Sequence, residues 1–464
     1  MATELLAAPG TATLPRPAFS ARRRPPRQAA LESAFATAYR GAETAFAVVA
    51  VYLMSHAVVL LVLEGSGSDA VGGAYEGNYV LRTMFASIHA VSLGLVAVRW
   101  RASLAAIARR PSVLALMALA LASTAWSAAP DLTLRRSLAL LGTTAFGVFL
   151  AARFEPRELL RVLGAALALL AVSSLAFALA LPRLGVNHGI HAGAWQGVYT
   201  HKNILGKVMA LGAMVFLLLR ADLPRSRRWI GTSGVALCLF LLLMSTSKTA
   251  LSVLVALFAS AALFRLLRQR MDVAIMVFVG AVLVGGSAAA LLATNWEASL
   301  AVLGKDPSLT GRVPMWEVLV RAIGREPWLG YGYNAFWLGD AGPSAQPLKE
   351  IGWETPTAHN GFLEVLLQLG ITGLALFLVG YLSAFRQALG ALRRTVTPDG
   401  LWPVLILTMT LLYNVSESVL LEKNNLNWAL YVAAVCSPLL ARPAAPGRGG
   451  WLRRPRAAPA GRPR

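Results

Sequence analysis

Long apolar runs broken by short polar segments set the pattern of this chain. Runs able to cross a hydrocarbon core fall near 42–63, 79–98, 112–127, 134–152, 159–181, 203–219, 229–245, 248–264, 273–293, 360–385, 401–420 and 426–441. They predict an all-α, polytopic membrane protein with about twelve transmembrane helices. Three polar interruptions are longer than the others, at 64–78, 182–202 and 294–358. The last far exceeds an ordinary connection, which marks it as a functional loop. The predicted layout is a basic, disordered cytosolic tail over 1–41, a membrane domain over 42–441 that includes loop 294–358, and a second basic tail over 442–464.

Inside the large loop, residues 309–324 have a helical period, with Val313, Trp316, Val320 and Ile323 on one stripe. Pro314 is tolerated in a first turn, and Gly324 and Pro327 stop the helix. Such a helix is expected to lie in the membrane interface. The aromatic cluster Trp328, Tyr331, Tyr333, Phe336 and Trp337 follows it. This cluster reads as an interfacial belt or as a platform for stacking sugars. At the loop's far end His359 and Asn360 open the next span. At 100° per residue His359, Leu363, Leu366, Gly370 and Gly373 share one face, with Glu364 and Gln368 roughly opposite. The two glycines then form a notch roughly 16–21 Å below the histidine. A polar head at the surface with a hydrocarbon tail running inward fits such a face; so does a helix start followed by glycines that pack on a neighbouring helix.

Composition excludes a soluble protein, since 56% of the residues are hydrophobic and 14% charged, with mean hydropathy +0.59. The net charge of +21 is not a nucleic-acid surface, because the basic residues sit between apolar runs and in both tails. With the N-terminus inside, 30 of the 43 Lys and Arg fall in cytosolic segments and 11 in outer ones. That bias predicts both ends in the cytosol and loop 294–358 outside. Cys238 and Cys436 both lie within apolar runs and read as packing residues. No G-x-x-x-x-G-K phosphate loop is present, which argues against an ATP-driven machine.

Several polar residues at the outer boundary can carry chemistry. Arg312 starts the loop helix, where it would grip phosphate oxygens or snorkel to lipid headgroups. Lys248 opens a span beside the hydroxyls of Ser245, Thr246, Ser247 and Thr249, against the helix dipole, and fits either an anionic ligand or a plain interfacial site. Lys202 and Asn203 begin another span, with Lys207 one turn further in and on the same face as Asn203. A charge at that depth is a functional candidate, or else pairs with Glu364 or Glu417. His188, His191 and His201 share a loop, but their spacing matches no common zinc pattern. His56 and His89 read as hydrogen-bonding residues between helices.

The segment His359-Asn360, nine residues, Gly370, two residues, Gly373 resembles the motif of the O-antigen ligase and O-antigen polymerase superfamily. Thr-Gly-Arg through Trp at 310–316, Leu-Gly-Tyr-Gly at 329–332, His-Lys-Asn through Gly at 201–206 and Glu-Ser-Val-Leu at 417–420 resemble the same family in order and spacing. The likeness covers about residues 110–440 and looks closest to exopolysaccharide polymerases of the succinoglycan type.

That resemblance implies a GT-C-like membrane glycosyltransferase of the bacterial inner membrane, working on its periplasmic face. Its partners would be an undecaprenyl-diphosphate-linked glycan donor, a sugar acceptor, the bilayer, and a flippase and chain-length regulator, with no nucleic acid. Enzymes it is similar to need no nucleotide, and the ligases among them no metal, so no cofactor is expected. It implies catalytic roles for His359, Arg312 and Lys248, and substrate binding by Asn360, Lys202, Asn203, Lys207, Gly370 and Gly373. Family ligases carry arginine where Lys248 stands, so the bidentate fork is absent here. His359 would act as a base or as a protonated phosphate ligand. Polymerase, ligase to lipid A core, and oligosaccharyltransferase to protein share the donor side. A secondary transporter would instead place its polar groups at the membrane midplane.

Overall fold

A computed structural model describes residues 26–63, 78–189, 191–269, 276, 312–395 and 397–441. The expected span at 273–293, the C-terminal tail and the first part of loop 294–358 lie outside these residues, apart from Met276. The chain divides into two units, Met1–Phe46 and Ala47–Arg464. The helix Pro26–Met54 begins in the first of them, well before the span start expected at 42. Proline at the first helical position and the alanine-rich stretch behind it favour helix there, and residues 34–42 of it are exposed.

The protein is an all-α, polytopic membrane protein. Among the described residues seven helices are long and apolar enough to cross a membrane: Tyr79–Val98, Pro130–Arg153, Pro156–Ala180, Lys202–Asp222, Arg225–Met244, Lys248–Arg268 and Gly361–Arg394. The pair Trp100–Ile107 and Pro111–Ala125, bent by 93°, would make an eighth. Close helix contacts use small residues, as expected where lipid removes the hydrophobic driving force between helices. A Cβ at Gly212 would lie 2.7 Å from the Cys238 sulfur, and one at Gly142 would lie 2.3 Å from the His89 ring. His89 uses that room to reach Thr143 Oγ1 with Nε2 at 3.4 Å, and His56 Nε2 meets the Asn424 carbonyl at 3.0 Å. Cys238 and Cys436 are buried and free.

Two expected spans are shorter than a full crossing. The helix Trp402–Asn414 has 13 residues and Leu426–Val435 has 10. Between them an irregular segment runs through the protein, with Val419, Leu420 and Leu421 buried. Non-helical backbone at such depth must be satisfied by protein. Asn414, fully buried, does much of this: its Oδ1 accepts from Val419 N and Leu420 N, both at 3.0 Å, while its Nδ2 donates to Thr410 O. Thr143 Oγ1 accepts from Asn424 N at 2.9 Å, and Tyr333 donates its hydroxyl to Leu421 O at 2.5 Å.

The loop helix forms as Arg312–Ile323, but its inner stripe is rotated from the expected one. Met315, Leu319 and Ala322 are buried against Phe336, Ala358 and Leu367, whereas Val320 is 56% exposed. The helix therefore rests on protein through a small core of its own, with Trp316 and Ile323 at its edge.

Candidate active site

His359 is not on the helix that follows it. Asn360 is the N-cap of Gly361–Arg394, its Oδ1 accepting from Phe362 N at 3.0 Å and Leu363 N at 3.1 Å. His359 precedes that cap in a left-handed conformation, φ 47°, which a non-glycine residue holds only when its surroundings impose it. Those surroundings are explicit. Ala358, fully buried, donates its N–H to Glu364 Oε2 at 2.8 Å and accepts from Trp316 Nε1 at 2.8 Å. Thr357 Oγ1 accepts from His359 N at 3.4 Å, and the imidazole lies beside the Trp353 ring, centroids 6.5 Å apart and 27° between planes.

Glu364 is the hub of this arrangement, a role its expected place on the opposite face did not suggest. Its buried carboxylate accepts from Ala358 N, from Trp337 Nε1 and Gln368 Nε2 at 2.9 Å each, and from Ser418 Oγ at 3.5 Å. It does not pair with Lys207. The Lys207 ammonium sits 6.0 Å from the Tyr413 ring centroid instead.

The irregular segment after Asn414 joins the other groups. The Val415 carbonyl accepts from Asn360 Nδ2 at 3.3 Å, and the Ser416 carbonyl accepts from Arg312 Nη1 at 2.9 Å. Arg312 and Asn360, the neighbour of His359, are thus held by adjacent carbonyls that lie 104 and 55 residues away in sequence. Burial pushes the His359 pKa below its ordinary value, and the Arg312 charge pushes the same way, opposed by Glu417 and assisted by Lys207. Both effects favour the neutral imidazole. Burial also raises the Glu422 carboxyl to about 7, with Lys207 and Lys423 pulling it down.

A second group forms around the turn at 245–248. Lys202 Nζ donates to Thr246 Oγ1 at 3.2 Å, and Ser247 Oγ donates to Asn203 Oδ1 at 3.0 Å. Gly206 lets this turn close, since a Cβ there would lie 2.8 Å from Ser247 Cβ. Lys248 is exposed at the start of its helix, near enough to Lys202 for their charges to oppose. His201 links the two groups. It caps the Lys202–Asp222 helix through Nδ1, which accepts from Asn203 N, and its ring meets that of His191 at 5.7 Å. Burial lowers its pKa, with contributions from His191, Lys202 and His359 and an opposing one from Glu417. The sequence named His201 within a motif without giving it a role. His188 Nε2 instead meets Pro182 O at 3.2 Å, and among the described residues no three His, Cys, Asp or Glu side chains form a ligand set for a metal.

Gly370 and Gly373 are not below His359 on a shared face. The helix breaks at Gly370, φ 62° and ψ −165°, and loop residues 327–332 fill the break. Ile371 N donates to Pro327 O at 2.8 Å and Thr372 N to Trp328 O at 3.2 Å. In return Tyr331 N donates to Leu367 O at 2.8 Å and Gly332 N to Gln368 O at 3.1 Å. A Cβ at Gly370 would lie 2.3 Å from the Trp328 carbonyl, and one at Gly373 would lie 2.4 Å from Leu369 Cβ. Protein backbone occupies the notch expected for a lipid tail. Of the expected site residues, the structure gathers His359, Asn360 and Arg312 at the 415–418 segment and Lys202, Asn203 and Lys248 at the 245–248 turn. Lys207 acts on His359 from one side.

Residues 233–378 match a family model described as O-Antigen ligase. The exopolysaccharide production protein ExoQ of Rhizobium meliloti (strain 1021) is 29% identical over 295 residues, covering 59% of this chain and 63% of that protein. The match therefore spans less than two thirds of that relative's length.

Proposed function

We infer, from the premise that this chain belongs to the O-antigen ligase and O-antigen polymerase superfamily, that it joins lipid-linked oligosaccharide repeat units into a polysaccharide. The donor is an undecaprenyl-diphosphate-linked glycan, and the reaction takes place on the periplasmic face of the inner membrane. The observation that carries this reading is a half-buried histidine held near an arginine at one end of the bundle, with Arg312 and Asn360 bonded to adjacent carbonyls.

The acceptor hydroxyl is a weak nucleophile, and His359 takes its proton as the hydroxyl oxygen bonds to the donor's anomeric carbon. The bond from that carbon to the diphosphate oxygen breaks, and its electron pair leaves with the lipid diphosphate. Arg312 holds the charge that develops there, with Lys207 nearby and with Lys202 and Lys248 at the second group. Burial and the neighbouring cations favour His359 as the base over His359 as a protonated phosphate ligand. Asn360 sets the helix start and the carbonyl of Val415, and so fixes the geometry of the base.

The name of the similar ExoQ protein favours polymerisation. The description of the matching family model favours ligation, the transfer of finished glycan to lipid A core. A clean deletion separates them. Accumulation of single repeat units supports the polymerase, whereas long unattached polymer overturns it in favour of the ligase.

A further inference from the structure

At the end of the bundle opposite His359, a cavity of about 240 Å³ opens between the helices Lys202–Asp222 and Lys248–Gln269 and the short turn Pro398–Leu401. Its wall carries three guanidinium groups, Arg220, Arg265 and Arg268, together with Leu217, Pro398 and Leu401. The glycan-transfer reading uses none of them.

The cleft is built rather than incidental. Arg268 donates to Leu392 O at 3.2 Å and to Thr397 O at 3.1 Å, which ties it to two backbone segments. A Cβ at Gly400 would lie 3.0 Å from Arg268 Nη2, so the turn fits closely around that guanidinium. Arg220 is steadied by Thr232, whose Oγ1 accepts from its Nε at 3.0 Å. The neighbouring carboxylates are shared with other cations. Arg157 meets Asp222 and Asp399 at 3.5 Å each, and Arg161 meets Asp222 at 3.8 Å. Asp399 also acts on Arg268, while Arg265 opposes it. Among the described residues, Arg157 and Arg161 thus take up these two carboxylates and Arg268 feels Asp399, beside the guanidinium groups of Arg220 and Arg265. Like charges held in place on three elements create a positive potential that an anion relieves. Planar guanidinium forks match the oxygens of phosphate better than those of a spherical ion.

We propose that this cleft binds a phosphate-bearing anion through Arg220, Arg265 and Arg268. Such a group comes either from a phospholipid headgroup at the membrane surface or from soluble phosphate, and the test separates the two. The full chain is purified in neutral detergent, and its melting temperature is followed at constant ionic strength set by chloride. Additions are inorganic phosphate, short-chain phosphatidylglycerol, and short-chain phosphatidylcholine as the zwitterionic control. The wild type is expected to gain roughly 2 °C or more from a saturating phosphate-bearing anion. The double variant Arg220→Gln, Arg265→Gln is expected to keep the basal melting temperature and lose that gain. Arg268 is left intact because it holds the backbone. A gain with inorganic phosphate identifies a soluble source. A gain confined to phosphatidylglycerol identifies the headgroup. No gain with either anion, an equal gain with phosphatidylcholine, or a gain that survives in the double variant overturns the proposal. Glycan transfer is not part of the readout, so failure here leaves the proposed reaction untouched, and the reverse also holds.

Discussion

His359 and Arg312 carry the sharpest consequences. Replacing His359 with alanine is expected to lower the rate of transfer roughly 10²- to 10⁴-fold, the usual contribution of a general base. The ring is half-buried, and among the described residues no hydrogen bond uses it, so accumulation and melting temperature should hold. His359→Gln keeps hydrogen bonding and cannot take up a proton. Activity as low as that of the alanine variant supports the base, and a substantial residual rate removes it. The pH profile gives an independent check. Because burial and Arg312 depress the His359 pKa, the acidic limb of kcat/KM should fall below the ordinary 6.5. Removing the positive charge with Arg312→Ala lets the pKa rise, so the limb moves to higher pH. Arg312→Lys keeps the charge, and should leave the limb in place while losing most activity through the missing fork. A limb that ignores Arg312→Ala would contradict the proposed coupling.

At the scale of elements, the break at Gly370 replaces a lipid-tail groove with a protein contact. Gly370→Leu puts a side chain where the Trp328 carbonyl lies, on a backbone at φ 62° that disfavours side chains. The expected cost is about 1–3 kcal/mol from the backbone strain alone. It should appear as a lower melting temperature in detergent, and an unchanged melting temperature would return Gly370 to the lipid-facing reading. The sequence announced the participants in this contact but not the contact. Leu-Gly-Tyr-Gly at 329–332 and the glycines at 370 and 373 were legible as separate motifs. A helical-wheel reading assumes one continuous axis, so it could not see that the first motif fills a gap in the second. The same assumption put His359 on the helix, whereas the histidine lies before the N-cap and outside the wheel. The loop helix was legible in place and length, but its stripe turned because the deciding partners, Phe336, Ala358 and Leu367, come from other segments.

For the whole molecule, hydropathy made the membrane class and most spans legible, since a bilayer allows few alternatives to a long apolar helix. It overextended the spans at 401–420 and 426–441, where Asn414 and other buried polar groups support irregular backbone. The orientation rests on charge. Helix ends remote from His359 carry Arg153, Arg157, Arg220, Arg268 and Arg394, while His201, Lys248, Arg312 and His359 gather at the other end. By the positive-inside rule, the proposed orientation has His359 facing the periplasm. Exposed single-cysteine variants test this, in a chain whose native cysteines are both buried. Glu354→Cys, in the loop before His359, should react with an impermeant thiol reagent once the outer membrane is permeabilised. Arg227→Cys, in the exposed turn Arg225–Arg227 at the far end, should react only after the inner membrane is lysed. The opposite pattern would put the histidine in the cytosol. A lipid-diphosphate donor presented on the periplasmic face would then have no route to it, and the proposed reaction would fall with the topology.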